Sequence, residues 1–144
     1  MRTMIRLLLP LLIFLMLLTG CKHAQFTPKT HKGAQLIAGS SGGVTGMLKE
    51  YVVLDNGQVF ISKGIKGEWK ETFSLKRSVT RDLFKKADAL NLGSKRFNHP
   101  GNMTYYLALK NPSRSYELKW GEAGTNPPEG VEALYQEIIT LVNH

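Results

Sequence analysis

The sequence from Leu36 to His144 predicts an α+β domain, in which an antiparallel sheet of about five strands carries two helices packed on one face. Two observations support this prediction. Two segments have the alternation and turn residues of β-hairpins, and two others have apolar residues at helical spacing. These elements follow one another in the order strand, hairpin, helix, hairpin, helix. We therefore expect residues 36–144 to form a single domain.

The first strand is predicted within AQLIAGSSGGVTGML (34–48), where the glycines interrupt it. The segment EYVVLDNGQVFISK (50–63) then contains Asn56-Gly57, the preferred pair for a type I′ turn, because both positions need a positive φ. That turn would pair Val53 with Phe60. Since both faces of the hairpin carry apolar side chains, we expect the hairpin to lie centrally in the sheet.

The first helix is predicted to begin after Ser78, which can act as its N-cap. Asp82 would then lie in the first turn, where a negative charge suits the helix dipole. Gly93 is suited to the C-terminal cap. The apolar residues between these ends follow near-helical spacing: Val79, Leu83, Phe84, Ala87 and Leu90.

The second hairpin is predicted in MTYYLALKNPSRSYELKW (103–120), around a four-residue loop from Asn111 to Arg114. This loop length sets three cross-strand pairs on one apolar face: Leu109 with Tyr116, Leu107 with Leu118 and Tyr105 with Trp120. The other face is expected to be exposed, with Tyr106, Glu117 and Lys119 on it. After Pro127-Pro128, a helical stripe of apolar residues predicts the last helix: Val131, Leu134, Ile138 and Leu141.

The N-terminus has the order of a secretory signal, because the basic residues Arg2 and Arg6 precede the apolar run Leu7–Leu18. The next residues, Leu18-Thr19-Gly20-Cys21, resemble the lipobox of bacterial lipoproteins. The resemblance implies cleavage between Gly20 and Cys21, so that residues 1–20 are the signal peptide. It also implies that Cys21 carries lipid chains, which hold the protein on a membrane.

Two other interpretations of this N-terminus remain open. One is an ordinary signal peptide with a coincidental cysteine, and the other is an uncleaved anchor helix. The apolar run would extend over roughly 18 Å as a helix, whereas a bilayer core is about 30 Å thick. The length therefore favours a cleaved signal over a membrane-spanning helix.

Residues 21–35 are predicted to be the lipidated Cys21 followed by a flexible basic tether, because KHAQFTPKTHKGAQ is polar and has no apolar periodicity. Its lysines would lie near anionic head groups, although a merely soluble linker is the simpler interpretation. Lys22 follows Cys21, where proteobacterial lipoproteins that stay in the inner membrane have Asp. By that resemblance the protein is expected at the outer membrane, facing the periplasm.

Charge and cysteine count exclude several classes of function. The chain has 19 Lys+Arg and 11 Asp+Glu, and loss of Arg2 and Arg6 with the signal peptide leaves a net charge of +6. The basic residues are scattered, so a nucleic-acid partner is not expected. Cys21 is the single cysteine, and the four histidines, His23, His31, His99 and His144, lie far apart. We therefore expect no internal disulfide, no metal site and no cofactor.

The open end of the second hairpin would bring FNHPGN (97–102) and GEAGTNPP (121–128) to one edge of the sheet. The candidate binding residues at this edge are Asn98, His99, Asn102, Trp120 and Glu122. A His99–Glu122 pair is chemically suited to general acid–base work. No motif marks a nucleophile, however, and the favoured interpretation is a structural turn.

The stretch SSGGVTG (40–46) most simply marks a bulge or a close backbone approach. Its residues Ser41, Gly42, Gly43 and Gly46, together with the order of elements, resemble the emfourin-type inhibitors of thermolysin-like metallopeptidases. That resemblance implies a possible inhibitor strand without assigning inhibitory residues. The loops FNHPGN and WGEAG resemble those of small uncharacterised lipoproteins of Bacteroidota, for which no activity is implied.

The sequence favours a lipid-anchored protein of the cell envelope, a non-catalytic binding or structural accessory module. Its partners would be membrane lipid, through acylated Cys21, and an unidentified envelope protein or ligand. A metallopeptidase inhibitor is the second interpretation and a small envelope enzyme the third. Exposed apolar residues around the glycine strand would favour inhibition. A pocket converging on His99 and Glu122 would favour an enzyme, and a plain convex surface would favour an accessory role.

Overall fold

The computed structural model describes residues 26–64 and 67–143. The six strands are β1 (Gln35–Gly42), β2 (Lys49–Leu54), β3 (Gln58–Lys63), β4 (Lys70–Ser74), β5 (Met103–Lys110) and β6 (Ser115–Trp120). The helices are α1 (Arg77–Ala89) and α2 (Val131–Val142), with a 3₁₀ turn at Leu92–Ser94. The predicted signal peptide and Cys21 lie outside the described residues. Within the described ranges, no helix is both long enough and apolar enough to cross a membrane.

The strands form one antiparallel sheet in the order β4-β3-β2-β1-β5-β6. This confirms the predicted α+β class, and β2 and β3 are interior strands as expected for that hairpin. The sheet has six strands because KETFS adds β4 at one edge. All of its side chains except the half-buried Phe73 are exposed, so the segment lacks the apolar alternation from which a strand is predicted.

The β5–β6 hairpin has the register that its loop length predicts. Leu109 faces Tyr116, Leu107 faces Leu118 and Tyr105 faces Trp120. The loop is closed at its base, where the amide of Asn111 donates to the carbonyl of Arg114 over 2.8 Å.

The β2–β3 hairpin differs by one residue from the predicted register. Its loop is the three-residue segment 55–57, and Val53 faces Val59 rather than Phe60. Gly57 alone takes a positive φ, of 95°, and its amide donates to the Leu54 carbonyl over 2.9 Å. The predicted type I′ turn is therefore wrong. A three-residue loop with glycine at its left-handed position joins the strands instead.

The ends of α1 also differ from the prediction. The helix begins at Arg77, and its N-cap is Lys76, which makes no side-chain capping bond. Ser78 is thus inside the helix, and Asp82 lies in the second turn, where it pairs with Lys86 over 2.8 Å. At the other end Asn91 takes the left-handed conformation, with φ of 47°.

Gly93, predicted as the cap of α1, serves a packing role. It lies in the 3₁₀ turn, and a Cβ on it would come within 2.6 Å of the Tyr116 ring. The absence of a side chain lets this turn pack against β6, to which it brings the buried Leu92.

The main core lies between the sheet and the two helices. Its fully buried side chains come from the sheet and from both helices: Leu36, Val53, Val59, Leu83, Leu107, Leu118, Val131 and Ile138. The opposite face carries a smaller cluster of Val52, Leu54 and Phe60, with Ile37 and Trp69 packed against it. Because side chains alternate along a strand, the one-residue change of register decides that Val59 faces the helices and Phe60 faces away.

Tyr106 is buried, contrary to the prediction that it lies on an exposed face. Its side chain is 6% exposed and packs over Gly39 of β1, which lies directly opposite it. A Cβ on Gly39 would come closer than 3.0 Å to the ring. The hydroxyl donates to the Glu50 carboxylate of β2. Burial, and secondly this carboxylate, raise the pKa of Tyr106 well above its ordinary value, so the donor stays protonated.

Residues 26–34 lie against the domain, whereas the sequence predicted a flexible tether up to residue 35. The Nε2 atom of His31 is 2.7 Å from an oxygen of Asp55, and the amide of Ala34 donates to the other oxygen over 2.8 Å. Gln35 Nε2 donates to the Pro28 carbonyl over 2.9 Å. These bonds fix the path of the chain from Phe26 onward. Residues 21–25 of the predicted tether lie outside the described residues.

We expect Gly39→Ala to destabilise the domain by about 1–3 kcal/mol, because the new methyl group and the Tyr106 ring need the same space. In a Tyr106→Ala background the ring is absent, so the cost of Gly39→Ala should fall by about 1 kcal/mol or more. Urea unfolding of the four chains of this double-mutant cycle measures both quantities. Additive penalties would show that the ring does not depend on the glycine.

Candidate functional site

The predicted binding edge is built from a short segment that runs parallel to β6. The Lys119 amide donates to the Phe97 carbonyl over 3.1 Å, and the His99 amide donates to the Lys119 carbonyl over 3.0 Å. The Glu122 amide then donates to the His99 carbonyl over 3.1 Å. This backbone ladder brings residues far apart in sequence to one edge, as the hairpin register implied.

His99 and Glu122 form the polar pair at this edge. The Nδ1 atom of His99 is 2.9 Å from a carboxylate oxygen of Glu122, and the side chains are 46% and 55% exposed. The imidazole also lies against the Phe97 ring, with centroids 4.6 Å apart. An ion pair this exposed contributes little to stability. The open position of the pair does not exclude water from a reacting group.

The other predicted residues of the edge are not all beside this pair. Trp120 is buried on the helix-facing side, where it stacks on Tyr105 and meets Tyr135 edge-on at 5.2 Å. Burial raises the pKa of Tyr135 to about 12. Asn98 borders a groove on the opposite face of the sheet. Asn102 contributes its carbonyl, which accepts from the Gly43 amide over 2.8 Å.

The loops at this edge meet through their backbones. A Cβ on Gly101 would come closer than 3.0 Å to the carbonyl of Gly121, and Gly121 itself has φ of 142°. Thr104 donates its hydroxyl to the Gly101 carbonyl over 3.0 Å. This close packing agrees with the interpretation of FNHPGN as a structural turn.

The candidate inhibitor strand is the end of β1 and the loop that follows it. Ser41 and Gly42 pair with Thr104 and Met103 of β5. On the β5 side, the backbone of these two residues is therefore already paired within the sheet. We name residues 43–47 the glycine loop. Its turn is closed by the Gly46 amide, which donates to the Gly43 carbonyl over 3.2 Å. The glycines have positive φ, as the turn requires: Gly42, Gly43 and Gly46.

The glycine loop presents apolar side chains to solvent. Val44 is fully exposed, and Met47 is 55% exposed. Met103, on the neighbouring end of β5, is 39% exposed and lies next to Gly43. No sequence motif marked these three residues as a site. The sequence nevertheless indicated their exposure, because a valine and a methionine within a glycine-rich turn are not expected to be buried in the core.

Two open cavities lie on the sheet face away from the helices. One, of about 490 Å³, is bordered by Ile37, Val52 and Trp69 and by lysines of the 26–34 segment. The other, of about 540 Å³, is bordered by Ser41, Asn98 and Tyr106. Glu50 lies between them and borders both. Its carboxylate is already bonded to Tyr106, so it serves the packing of the sheet.

In the part of the chain that the structure describes, acidic and histidine side chains do not gather into a metal site. Across residues 26–64 and 67–143, no three or more His, Cys, Asp or Glu side chains are placed to hold an ion. Lys86 of α1 pairs with Asp82 of the same helix and with Glu137 of α2, so these ion pairs join elements of the fold. Those two carboxylates raise the pKa of Lys86.

We expect Gly101→Ala to destabilise the domain by about 1–3 kcal/mol, because its methyl group would overlap the Gly121 carbonyl. His99→Ala and Glu122→Ala should each change the free energy of unfolding by less than about 1 kcal/mol, since the pair is exposed. Thermal and urea unfolding of the three variants test this contrast. A large loss in the His99 or Glu122 variant would show that the pair holds the edge together.

Comparisons with known proteins assign neither a family nor a function. No protein-family model matches the chain, and a search of curated proteins finds no similar sequence.

Proposed function

We propose that this protein is a lipid-anchored, non-catalytic binding module of the bacterial cell envelope, which binds an envelope protein through its glycine loop. The observation that supports this most is the full exposure of Val44. Apolar side chains exposed together on a small domain commonly mark an interaction site. Here Val44, Met47 and Met103 are grouped at one end of the sheet, and the loop is tied to β5 by the Gly43–Asn102 hydrogen bond.

The fixed backbone of the glycine loop supports a role in binding. Gly42 and Gly43 extend the pairing of β1 with β5. Only the short turn after Gly43 lies beyond this pairing. A loop held in this way loses little conformational entropy when it binds, and this raises affinity. The His99–Glu122 pair, by contrast, is exposed and is not enclosed by any of the described residues, and this supports a non-catalytic protein.

The lipid anchor is proposed from the lipobox at Leu18-Cys21. Lipids on Cys21 would hold the protein at the outer membrane on its periplasmic side, since Lys22 rather than Asp follows the cysteine. The start of β1 follows Cys21 by 14 residues, and the glycine loop lies at the other end of that strand. The partner-binding loop would then point away from the membrane.

Inhibition of a thermolysin-like metallopeptidase is the second candidate function. The exposed apolar residues around the glycine strand are the feature that favours it. Val44 has the position that an inhibitor would need, at the tip of a loop whose base is hydrogen-bonded to a neighbouring strand. The partner would then be the peptidase itself, with the loop inserted into its cleft.

Cys21→Ser should abolish lipid attachment, because the hydroxyl of serine does not replace the thiolate as acceptor of the diacylglyceryl group. Metabolic labelling with an alkyne fatty acid, followed by fractionation of membranes, measures the effect. Wild type should be labelled and membrane-bound, and the variant unlabelled. Equal labelling of the two proteins would contradict the anchor.

A photo-crosslinking residue at position 44 should capture a discrete partner in cells, whereas the same residue at position 113 should not. Ser113 is the matched control, because it is exposed in the β5–β6 loop at the opposite end of the sheet. Val44→Asp should weaken the complex at least tenfold, since a charge would replace the exposed apolar side chain. Binding of the isolated partner measures this loss.

The same variant separates the two candidate functions. Titration of thermolysin-like peptidases with the chain 21–144 should show inhibition only if the second candidate is correct, and Val44→Asp should then relieve it. Equal cross-linking from positions 44 and 113 would exclude a dedicated role for the glycine loop.

A further inference from the structure

The end of the domain at which the tether joins carries a group of basic side chains. We name this surface the tether end and define it by the segments 26–34, 55–57, 75–77 and 110–115. Its basic side chains are all exposed: Lys29, Lys32, Lys76, Arg77, Lys110 and Arg114. Its acidic side chain, Asp55, is occupied by His31 and the Ala34 amide.

The four segments form one surface. Lys29, Lys32 and Lys110 border the same cavity. Arg77 borders a second cavity together with Phe26 and Asp55. The Leu75 amide donates to the Gly57 carbonyl over 2.8 Å, which joins the start of α1 to the β2–β3 loop.

The basic side chains of the tether end form no ion pairs within residues 26–64 and 67–143. Two carboxylates lie near these six cations: Asp55, which is bonded to His31 and the Ala34 amide, and Glu50, which borders the cavity of the three lysines and accepts from Tyr106. Six cations and two carboxylates leave a positive surface. Such a surface attracts anions over about 8 Å at physiological salt.

Cys21 lies only five residues before Phe26. A fully extended chain of that length reaches at most about 18 Å. Phe26 packs edge-on against His31, with centroids 5.5 Å apart, so the residue from which this reach is counted lies at the tether end. A lipid on Cys21 would therefore keep this end, and no other, close to the membrane surface.

We propose that the tether end is a membrane-contact surface, which binds anionic phospholipid headgroups through these six basic side chains. The proposal rests on the lipid anchor proposed above for Cys21. Headgroup contact then fixes the orientation of the domain. Because β1 is eight residues long, the glycine loop is held about 26 Å farther from the bilayer.

A nucleic acid is the other class of partner that a basic surface attracts. Two observations favour the membrane. Cys21 is close to this end of the domain. Phe26 is 39% exposed beside Arg77, and an aromatic ring next to a cation suits the boundary between headgroups and acyl chains.

The test uses the chain 21–144 with Cys21→Ser, so that surface binding is measured without a lipid. This chain keeps the whole core, which lies between Leu36 and Ile138. Co-sedimentation is measured with phosphatidylcholine vesicles that contain about 30% phosphatidylglycerol, and with pure phosphatidylcholine vesicles. Binding should require the anionic lipid and should weaken as salt rises from about 50 to 300 mM.

Charge reversal locates the surface. The triple variant Lys29→Glu, Lys32→Glu and Lys110→Glu should bind anionic vesicles at least about tenfold more weakly. The matched control is Lys63→Glu, Lys70→Glu and Lys85→Glu, which makes the same change of charge at exposed positions outside the tether end. The control should stay within about threefold of the parent chain. If circular dichroism shows that the tether-end variant is unfolded, the corresponding Lys→Gln variant replaces it, with a Lys→Gln control.

Equal losses in the two triple variants would overturn the proposal, as would binding that does not depend on anionic lipid. A duplex DNA that competes the protein off vesicles at lower concentration than soluble phosphatidylglycerol would indicate a nucleic-acid surface instead. These outcomes are independent of lipidation, which fatty-acid labelling of Cys21 tests separately. Failure of the membrane-contact surface and failure of the anchor are thus distinguishable.

Discussion

The packing of Tyr106 across Gly39 onto Glu50 joins the three central strands of the sheet. Tyr106 belongs to β5, Gly39 to β1 and Glu50 to β2. A side chain on the middle strand would hold the ring away from the carboxylate, so the hydrogen bond depends on the glycine. Because the ring is buried and its hydroxyl stays protonated, the bond holds these strands together on the face that the helices leave uncovered.

This central arrangement gives the domain two separate ends. β1 begins where residues 26–34 pack on the Asp55 carboxylate, and it finishes at the glycine loop. The first end carries exposed basic side chains and the second carries exposed apolar ones. We propose one protein that is attached to a membrane and oriented on it at one end, and that binds a partner at the other. Antiparallel pairing with β2 and β5 keeps the two surfaces at a fixed distance.

Local sequence patterns predicted an element correctly where they were compatible with only one strand register. In the β5–β6 hairpin the apolar alternation and the loop length agree, so the register was correct. In the β2–β3 hairpin apolar side chains lie on both faces, so alternation does not choose between registers one residue apart. Only the contacts of Val59 and Phe60 with the two sides of the sheet distinguish them. The strand β4 was missed because an exposed edge strand needs little apolar sequence.

The sequence by itself determined the α+β class, the apolar faces of both helices and the meeting of His99 with Glu122, since each follows from spacing along the chain. Tertiary structure alone decided the burial of Tyr106, the exposure of Val44 and the docking of residues 26–34. The physical reason is that burial depends on what lies opposite a residue in space. Gly39 makes room for an aromatic ring, Asp55 receives the incoming chain, and nothing in the described part of the chain covers the glycine loop.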